Sequence, residues 1–412
     1  LPDTLNCRYA RTAEIGDIAR LVAHSFPGTA RPVDWIREQL EAPRFGGGTD
    51  TLFVGESGGR PAAALQLHPL RQWVGGAELA CAGVGTVTVS PAHRQRGLAA
   101  ALMTAALRAA LERGDIVSAL YPFRVAFYRR LGYGHASAAL QYQFAPHMLG
   151  DAPERERVAL LDDEGTRAAA LGLYNEWART QTGQLTRTAR MWAEQVPRHD
   201  RVLVGYRDGH GALHGYCLGS YRTDTGARCL EIDELVWTTP DARRGLHAWI
   251  ASLADQWPQV LLRGLPSHRL DDWIREPRLP AGSAPMWQLW APMATVMAGP
   301  MFRILDLQRA WHARSVAPDS RMDLTFEVED AQLDGNSGRW RVVFADGRAH
   351  CERGSGAATM SLDIGTLSRL YIGALPASAA VAAGLVVCDR PGLLAALDAA
   401  LALPEPWTFD RF

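Results

Sequence analysis

The stretch "VTVSPAHRQRGLAAAL", from Val87 to Leu102, sets a β-branched run, a basic turn and an apolar helix within sixteen residues. Val87, Thr88 and Val89 suit a strand. Beyond the turn, Leu98, Leu102, Met103, Ala106, Leu107, Ala110 and Leu111 fall on one helical face, and Gly114 stands where a helix stop is needed. A strand that feeds a helix through Arg94, Arg96 and Gly97 is suited to an anion such as phosphate. The helix N-terminus offers unpaired N–H groups and roughly half a positive charge. Gly97 and Ala99 allow close backbone approach, and the arginines add charge-assisted hydrogen bonds.

The residues before this stretch extend the pattern. "EIGDIARLVAHSF" spaces Ile18, Leu21, Val22 and Phe26 for a helix. "TLFVGESGGRPAAALQLHPL" gives two strand-like runs about a Gly-Gly turn, and "WVGGAELACAGVGTVTV" gives another pair, so an antiparallel meander leads into the turn. Gly83 and Gly85 interrupt the last strand, as glycine does at a bulge or where a ligand approaches the backbone. A strand, "IVSALYP", follows the helix.

The chain has 412 residues, nearly half of them apolar, and a net charge of −1, enough for two to three cores and without the basic excess of a nucleic-acid or anionic-membrane binder. No apolar run approaches the roughly 20 residues of a spanning helix, and no signal peptide opens the chain, so a cytoplasmic location is expected. The six cysteines are scattered without a CxxC pair and read as reduced, packed thiols. His210 and His214 lie in a glycine-rich hairpin rather than on a helix, so no metal site is assigned. All 43 basic residues are arginine.

Residues 1–145 thus read as one mixed α/β unit with a largely antiparallel sheet. A composition shift at "PHMLGDAPERER" starts a second block, 146–295, in which "LVWTTPDARRGLHAWI" echoes "TVTVSPAHRQRGLAAAL" one residue shorter in the turn. Residues 296–412 read as a small α+β domain: an amphipathic helix through "MFRILDLQRAWHAR", three strands, then helices in "GTLSRLYIGAL" and "PGLLAALDAAL".

Arg94-x-x-Gly97-x-Ala99 after "VGTVTV", followed by "AFYRRLGYG", resembles the GNAT acetyltransferases. A GNAT unit, a degenerate second GNAT unit and a sterol-carrier-protein-like domain together resemble the Eis family over essentially the whole chain. The resemblance implies acetyl-CoA as cosubstrate, with backbone at Val87 and Val89 on the pantetheine and acetyl carbonyl, and Arg94, Gln95, Gly97, Leu98 and Ala99 on the pyrophosphate. It also implies a small-molecule amine acceptor, polyamine or aminoglycoside, and a homo-hexamer.

Acetyl transfer needs a neutral amine, a polarised carbonyl and a proton for the leaving thiolate. Tyr128 of "AFYRR" matches the family's general acid, and Tyr133 reads as packing. The family's base is the chain's own terminal carboxylate, here that of Phe412. "LPEPWTFDRF" suits that role, with Pro404 and Pro406 restricting the backbone and Trp407, Phe409 and Phe412 as apolar anchors. Substrate contacts are expected from His24, Phe26 and Trp35, and from Tyr121, Phe123 and Arg124 at the cleft entrance. Arg411, where an acidic residue would suit a polycation, and the bulky "LYPFR" depart from an aminoglycoside site. The second copy, with its shortened turn and Trp237 in the strand, is expected to be structural. Rival readings are a lipid or small-apolar-ligand carrier scaffolded by GNAT units, and a protein or peptide N-acetyltransferase.

Overall fold

The computed structural model describes residues 6–26, 31–196, 200–223, 228–265, 267, 269–275 and 294–412. The chain forms two units: Leu1–Ala136 with Arg179–Thr186 and Pro300–Phe412, and Ser137–Ala178 with Arg187–Gly299.

The first unit begins with β1 (Asn6–Tyr9), α1 (Ile15–Ser25) and α2 (Val33–Glu41). Ile15, Ile18, Leu21 and Val22 of α1 pack with Ile36 and Leu40 of α2 on Leu52, Val54 and Ala64, as the spacing predicts for Ile18, Leu21 and Val22, whereas Phe26 follows the helix as its C-cap and is 38% exposed. The meander follows as β2 (Leu52–Ser57), β3 (Arg60–Val74) and β4 (Ala77–Val89). What reads as two separate runs, one ending at Leu70 and the next starting at Trp73, is one strand, β3. β2 pairs it only as far as Gln66, so Pro69, which has no N–H to give, lies beyond that ladder. Helix α3 (Leu98–Arg113) buries Leu98, Leu102, Met103, Ala106, Leu107 and Ala110 and ends on Gly114 at φ +97°. β5 (Val117–Leu120) returns parallel to β4. The short α4 (Val125–Arg129) and β6 (Gly134–His135) close this part.

The second unit contains β7 (Ala138–Phe144), β8 (Val158–Leu160), α5 (Glu164–Ala178), α6 (Ala189–Ala193), β9 (Arg201–Arg207), β10 (Leu213–Arg222), β11 (Cys229–Trp237), α7 (Pro240–Ala251), β12 (Gln259–Gly264) and β13 (Ala294–Ala298). Its sheet runs β13-β7-β12-β11-β10-β9-β8, with only β11 and β12 parallel. Strand, helix and parallel strand thus recur here in the order of β4, α3 and β5. His210 and His214 lie at the β9–β10 hairpin, where His214 Nε2 meets Asp208 Oδ2 at 3.1 Å.

The chain re-enters the first sheet through β14 (Met301–Ile304), which pairs antiparallel with both β5 and β6. These four residues are all buried and form a strand, where the sequence suggests the start of a helix. A fully buried strand shows no alternation, so periodicity does not separate it from a helix. The helix, α8 (Leu307–Ala313), starts only at Asp306, whose side chain accepts from the Arg309 amide. A five-stranded sheet follows, from β15 (Met322–Glu329), β16 (Gly338–Ala345), β17 (Arg348–Arg353), β18 (Met360–Asp363) and β19 (Val387–Cys388), in the order β17-β16-β15-β18-β19. Helices α9 (Ile364–Tyr371), α10 (Ala377–Ala382) and α11 (Leu394–Leu401) complete the domain. All six cysteines are unpaired. Among the described residues no helix is long and apolar enough to cross a membrane, and no His, Cys, Asp and Glu cluster could hold a metal ion.

Candidate active site

β4 and β5 pair only from Cys81↔Val117 to Val84↔Leu120. β4 continues to Val89 with β3 as neighbour, through Ala64↔Thr88 and Ala63↔Val89. From Gly85 onward β5 no longer pairs with β4, which leaves that edge of the β4 backbone without a strand partner and available to a ligand. The β3–β4 register shifts between Ala64 and Gln66, and Thr86 in the resulting bulge has φ +53°. That region is strained for a β-branched residue. Thr86 Oγ1 donates to Gln66 Oε1 at 2.7 Å and holds the bulge in place. Val87 and Val89 follow, half-buried.

After Ser90 the chain makes one tight turn at Pro91–His93. Gln95 and Gly97 are left-handed, at φ +63° and +80°, and α3 opens with Gly97 as an N-cap that offers no side-chain bond. The first-turn amides around Leu98 and Ala99 are therefore open to an anion. Arg94, Gln95, Arg96 and Gly97 are exposed, and a Cβ on Gly97 would meet nothing within 4 Å. Room, amides and charge suit a pyrophosphate.

Tyr128 of α4 is only 2% exposed and belongs to the core cluster that includes Val84 and Leu120, with Val87 packed against it. Its ring meets Phe127 at 5.0 Å, Phe123 at 5.7 Å and Tyr133 at 6.1 Å. Burial pushes its phenol well above the ordinary value, so it stays protonated as a proton donor must. Tyr133 is held at 2.7 Å from Ser118, which donates to the Ala82 carbonyl, a packing role. The segment after α4 is braced from β14: Arg303 donates to the Leu131 carbonyl and, through Nη2, to both carboxylate oxygens of Asp330 at 2.7 Å. Both side chains of that ion pair are fully buried.

The chain's last residues run into this unit. The Trp407 amide donates to the Thr182 carbonyl at 2.9 Å, and Tyr121 Oη donates to the Thr408 carbonyl at 3.1 Å. Arg44 donates to Asp410 Oδ1 at 2.5 Å. The Phe412 ring meets Phe45 at 5.9 Å and Tyr121 at 6.0 Å. A Cβ on Gly83 would stand 3.0 Å from the Phe412 ring, and one on Gly85 would stand 2.8 Å from its carboxyl carbon. The glycines read as a sign of ligand approach admit the chain's own Phe412. The rings of Trp407, Phe409 and Phe412 are only half-buried, whereas Thr408 and Asp410 are 1% and 0% exposed. Docking therefore rests on polar contacts as much as on the apolar anchors expected. Asp410 is taken up by Arg44 and does not face outward as an acidic group.

Among the expected substrate contacts, Tyr121 joins Phe412, and Phe123, 72% exposed, joins Tyr128 as an apolar lip. His24 and Phe26 sit exposed at the end of α1, which Ser25 Oγ ties to the Val89 carbonyl at 3.4 Å. Trp35 is exposed under the Arg31 guanidinium, 4.7 Å from the ring centre. No hydrogen bond or ring contact among the described residues joins Trp35 or the Arg124 side chain to Tyr128 or Phe412. Residues 27–30 of that substrate stretch lie outside the described residues. Arg44, Phe45 and Thr408 were not legible from sequence. Each becomes visible only through contacts across the fold, and only the Arg44-Phe45 pair, a cation beside a ring, gave a local hint.

The corresponding place in the second unit is built differently. α7 starts straight after β11 with Thr239 as N-cap, its Oγ1 accepting from Ala242 at 3.2 Å. Gly245 is interior to the helix, where a Cβ would come within 2.7 Å of Tyr206 and 2.9 Å of the Glu154 carbonyl. Arg244 bonds Glu154 and Asp241, and Arg243 stacks 3.5 Å over Trp273. Cap, glycine and arginines are all engaged within the protein.

Residues 6–136 match the family model of an acetyltransferase (GNAT) domain, residues 183–304 a second GNAT domain model, and residues 307–409 a sterol carrier protein domain. An N-acetyltransferase of Streptomyces avermitilis is 28% identical over 437 aligned positions, covering 100% of this chain and 99% of the relative. N-acetyltransferase Eis of Mycobacterium bovis is 29% identical over 340, covering 80% of this chain and 79% of its own. The crystal structure of a GCN5-related N-acetyltransferase from Kribbella flavida aligns with a TM-score of 0.81 at 26% identity, covering 100% of this chain and 99% of that one.

Proposed function

The chain belongs to the Eis-like GNAT N-acetyltransferases, and from that premise we propose that it acetylates amines of polyamine or aminoglycoside-like small molecules, with Tyr128 as general acid and the Phe412 carboxylate as general base. GNAT enzymes draw the acetyl group from acetyl-CoA. On this reading Arg94, Gln95, Gly97, Leu98 and Ala99 hold its pyrophosphate, and the open edge at Val87 and Val89 pairs with its amide-bearing arm. The same edge supplies N–H groups for the charge that develops on the carbonyl oxygen. The amine nitrogen bonds to the acetyl carbon as the carbon–sulfur bond breaks. The Phe412 carboxylate takes the proton the amine loses, and Tyr128 gives its proton to the departing sulfur.

The observation that carries the reading is the docking of Phe412 against Gly85, at the open end of β4. A carboxylate brought there can serve as a base without another acidic side chain. The assignment requires a free α-carboxylate at Phe412, which intact mass of the purified protein verifies. The polyamine preference rests on the family resemblance. Asp410 is engaged by Arg44 and Arg411 is exposed, so the local charge adds nothing to it. The hexamer implied by the resemblance is read by native mass spectrometry.

The test follows thiol release from acetyl-CoA with polyamines, aminoglycosides, simple monoamines and lysine-bearing peptides. Release with polyamines or aminoglycosides well above that with the other amines is expected. Release with peptides alone would replace the acceptor class. No release with any amine, together with co-purified lipid, would replace the enzyme with a carrier.

A further inference from the structure

The tail meets one more polar group at Gly85. His68 lies on β3, 3% exposed, in register with Gly83. A Cβ on Gly85 would stand 3.4 Å from His68 Nε2, 2.8 Å from the terminal carbon of Phe412 and 3.4 Å from its oxygen, so the ring nitrogen and the carboxylate border the same point without a direct hydrogen bond between them. Phe45 lies against both, 5.1 Å from the His68 ring and 5.9 Å from the Phe412 ring. The other nitrogen, Nδ1, is enclosed with no hydrogen-bond partner.

From this convergence we infer that His68 is a positioning residue: its Nε2–H orients the Phe412 carboxylate toward the acceptor amine. The inference rests on Phe412 being the base. The tautomer follows from the surroundings. A proton on Nδ1 would bury an N–H with no acceptor and turn a lone pair toward the carboxylate. A proton on Nε2 gives the carboxylate a donor. Burial and then the Arg113 charge push its pKa down to about 4, which favours the neutral ring, while a neighbouring carboxylate acts in the opposite sense. It can therefore orient the carboxylate without adding a cation.

The other charges around the pair are already engaged or point elsewhere. Arg113 bonds Asp115 at 2.7 Å and the Leu67 carbonyl at 2.9 Å. Arg44 bonds Asp410, Tyr121 donates to the Thr408 carbonyl, and Arg411 is exposed. Tyr121 spends its proton on Thr408, which leaves His68 as the neutral donor free to serve the carboxylate.

The test compares His68→Leu, His68→Gln and His68→Asn by melting temperature, acetyl-CoA affinity and the pH profile of kcat/KM. A Gln amide nitrogen reaches roughly where Nε2 sits, and an Asn nitrogen where Nδ1 sits. The folded Leu variant should lose about tenfold in kcat with unchanged acetyl-CoA affinity, and its acid limb should move up by about one pH unit, since a carboxylate without its donor binds protons more tightly. Gln should restore both and Asn neither. If Leu fails to fold, Gln surpassing Asn in kcat supports the role, and Gln equal to Asn overturns it. A folded Leu variant with the wild-type acid limb and kcat also overturns it. Full activity of a chain extended by one glycine would overturn the Phe412 reading and His68's role together. An inactive extended chain beside an unshifted Leu variant would remove only His68's role.

Discussion

The proposed acid and base, Tyr128 and Phe412, are set by different physical features. The phenol is made a reluctant acid by burial among Phe123, Phe127 and Tyr133, which keeps its proton available above the pH where an exposed tyrosine ionises. Tyr128→Phe keeps the ring and removes the hydroxyl that carries the proton. It should lower kcat by roughly 10²–10⁴-fold and leave acetyl-CoA affinity nearly unchanged. Steady-state kinetics beside titration calorimetry checks this, and near-normal turnover would remove the acid role. Phe412 was legible from its terminal place and the aromatic tail. The partners that seat it were not, because Gly83, Gly85, Arg44 and Tyr121 lie hundreds of positions away and no local pattern couples them.

At the level of elements, the turn between β4 and α3 separates the two copies of the fold. In the first, left-handed Gln95 and Gly97 leave amides and arginines facing outward. In the second, Thr239 caps the helix and Arg244 is bound to Glu154. Arg94→Ala and Gly97→Val should therefore weaken acetyl-CoA binding, the first by lost charge and the second by strain at φ +80°. Arg243→Ala should leave the affinity unchanged. Titration calorimetry is expected to give one CoA site per chain, and two sites would contradict this asymmetry. Elements with clear periodicity, such as α1, α3 and the β9–β10 hairpin, could be read directly from the sequence. β14 could not: Met301–Ile304 is buried on both faces, and its place between β5 and β6 depends on pairing with strands well over a hundred positions away. The merging of two runs into β3 was hidden for a related reason, since the polar Arg71 and Gln72 between Leu70 and Trp73 interrupt the apolar pattern without interrupting the strand.

Across the whole molecule, two buried histidines set an acid limit on stability. His68 and His247 lie in different units, and burial lowers each pKa from 6.5 to about 4. The folded pKa is the depressed one. Between pH 6.5 and 4 the unfolded chain takes up protons that the folded chain refuses, so stability falls as pH falls through that window. Across the whole window each site costs up to about 3 kcal/mol of stability. Melting temperature should therefore drop from pH 6.5 to 4, and His247→Phe, which leaves the Tyr128 site untouched, should flatten part of that drop. An unchanged slope in that variant would assign the acid sensitivity to other groups.

The docked terminus is the claim on which the catalytic account turns, and one added glycine tests it most directly. The extension converts the Phe412 carboxylate to an amide and moves the charge by up to roughly 3.6 Å, whereas a general base must lie about 2.6–3.2 Å from its proton donor or be bridged by a water. With folding verified by melting temperature and acetyl-CoA affinity by calorimetry, the account predicts both nearly intact and amine acetylation reduced by at least about 100-fold, the lower end of what a positioned base supplies. Wild-type acetylation by the folded, glycine-extended protein would contradict it.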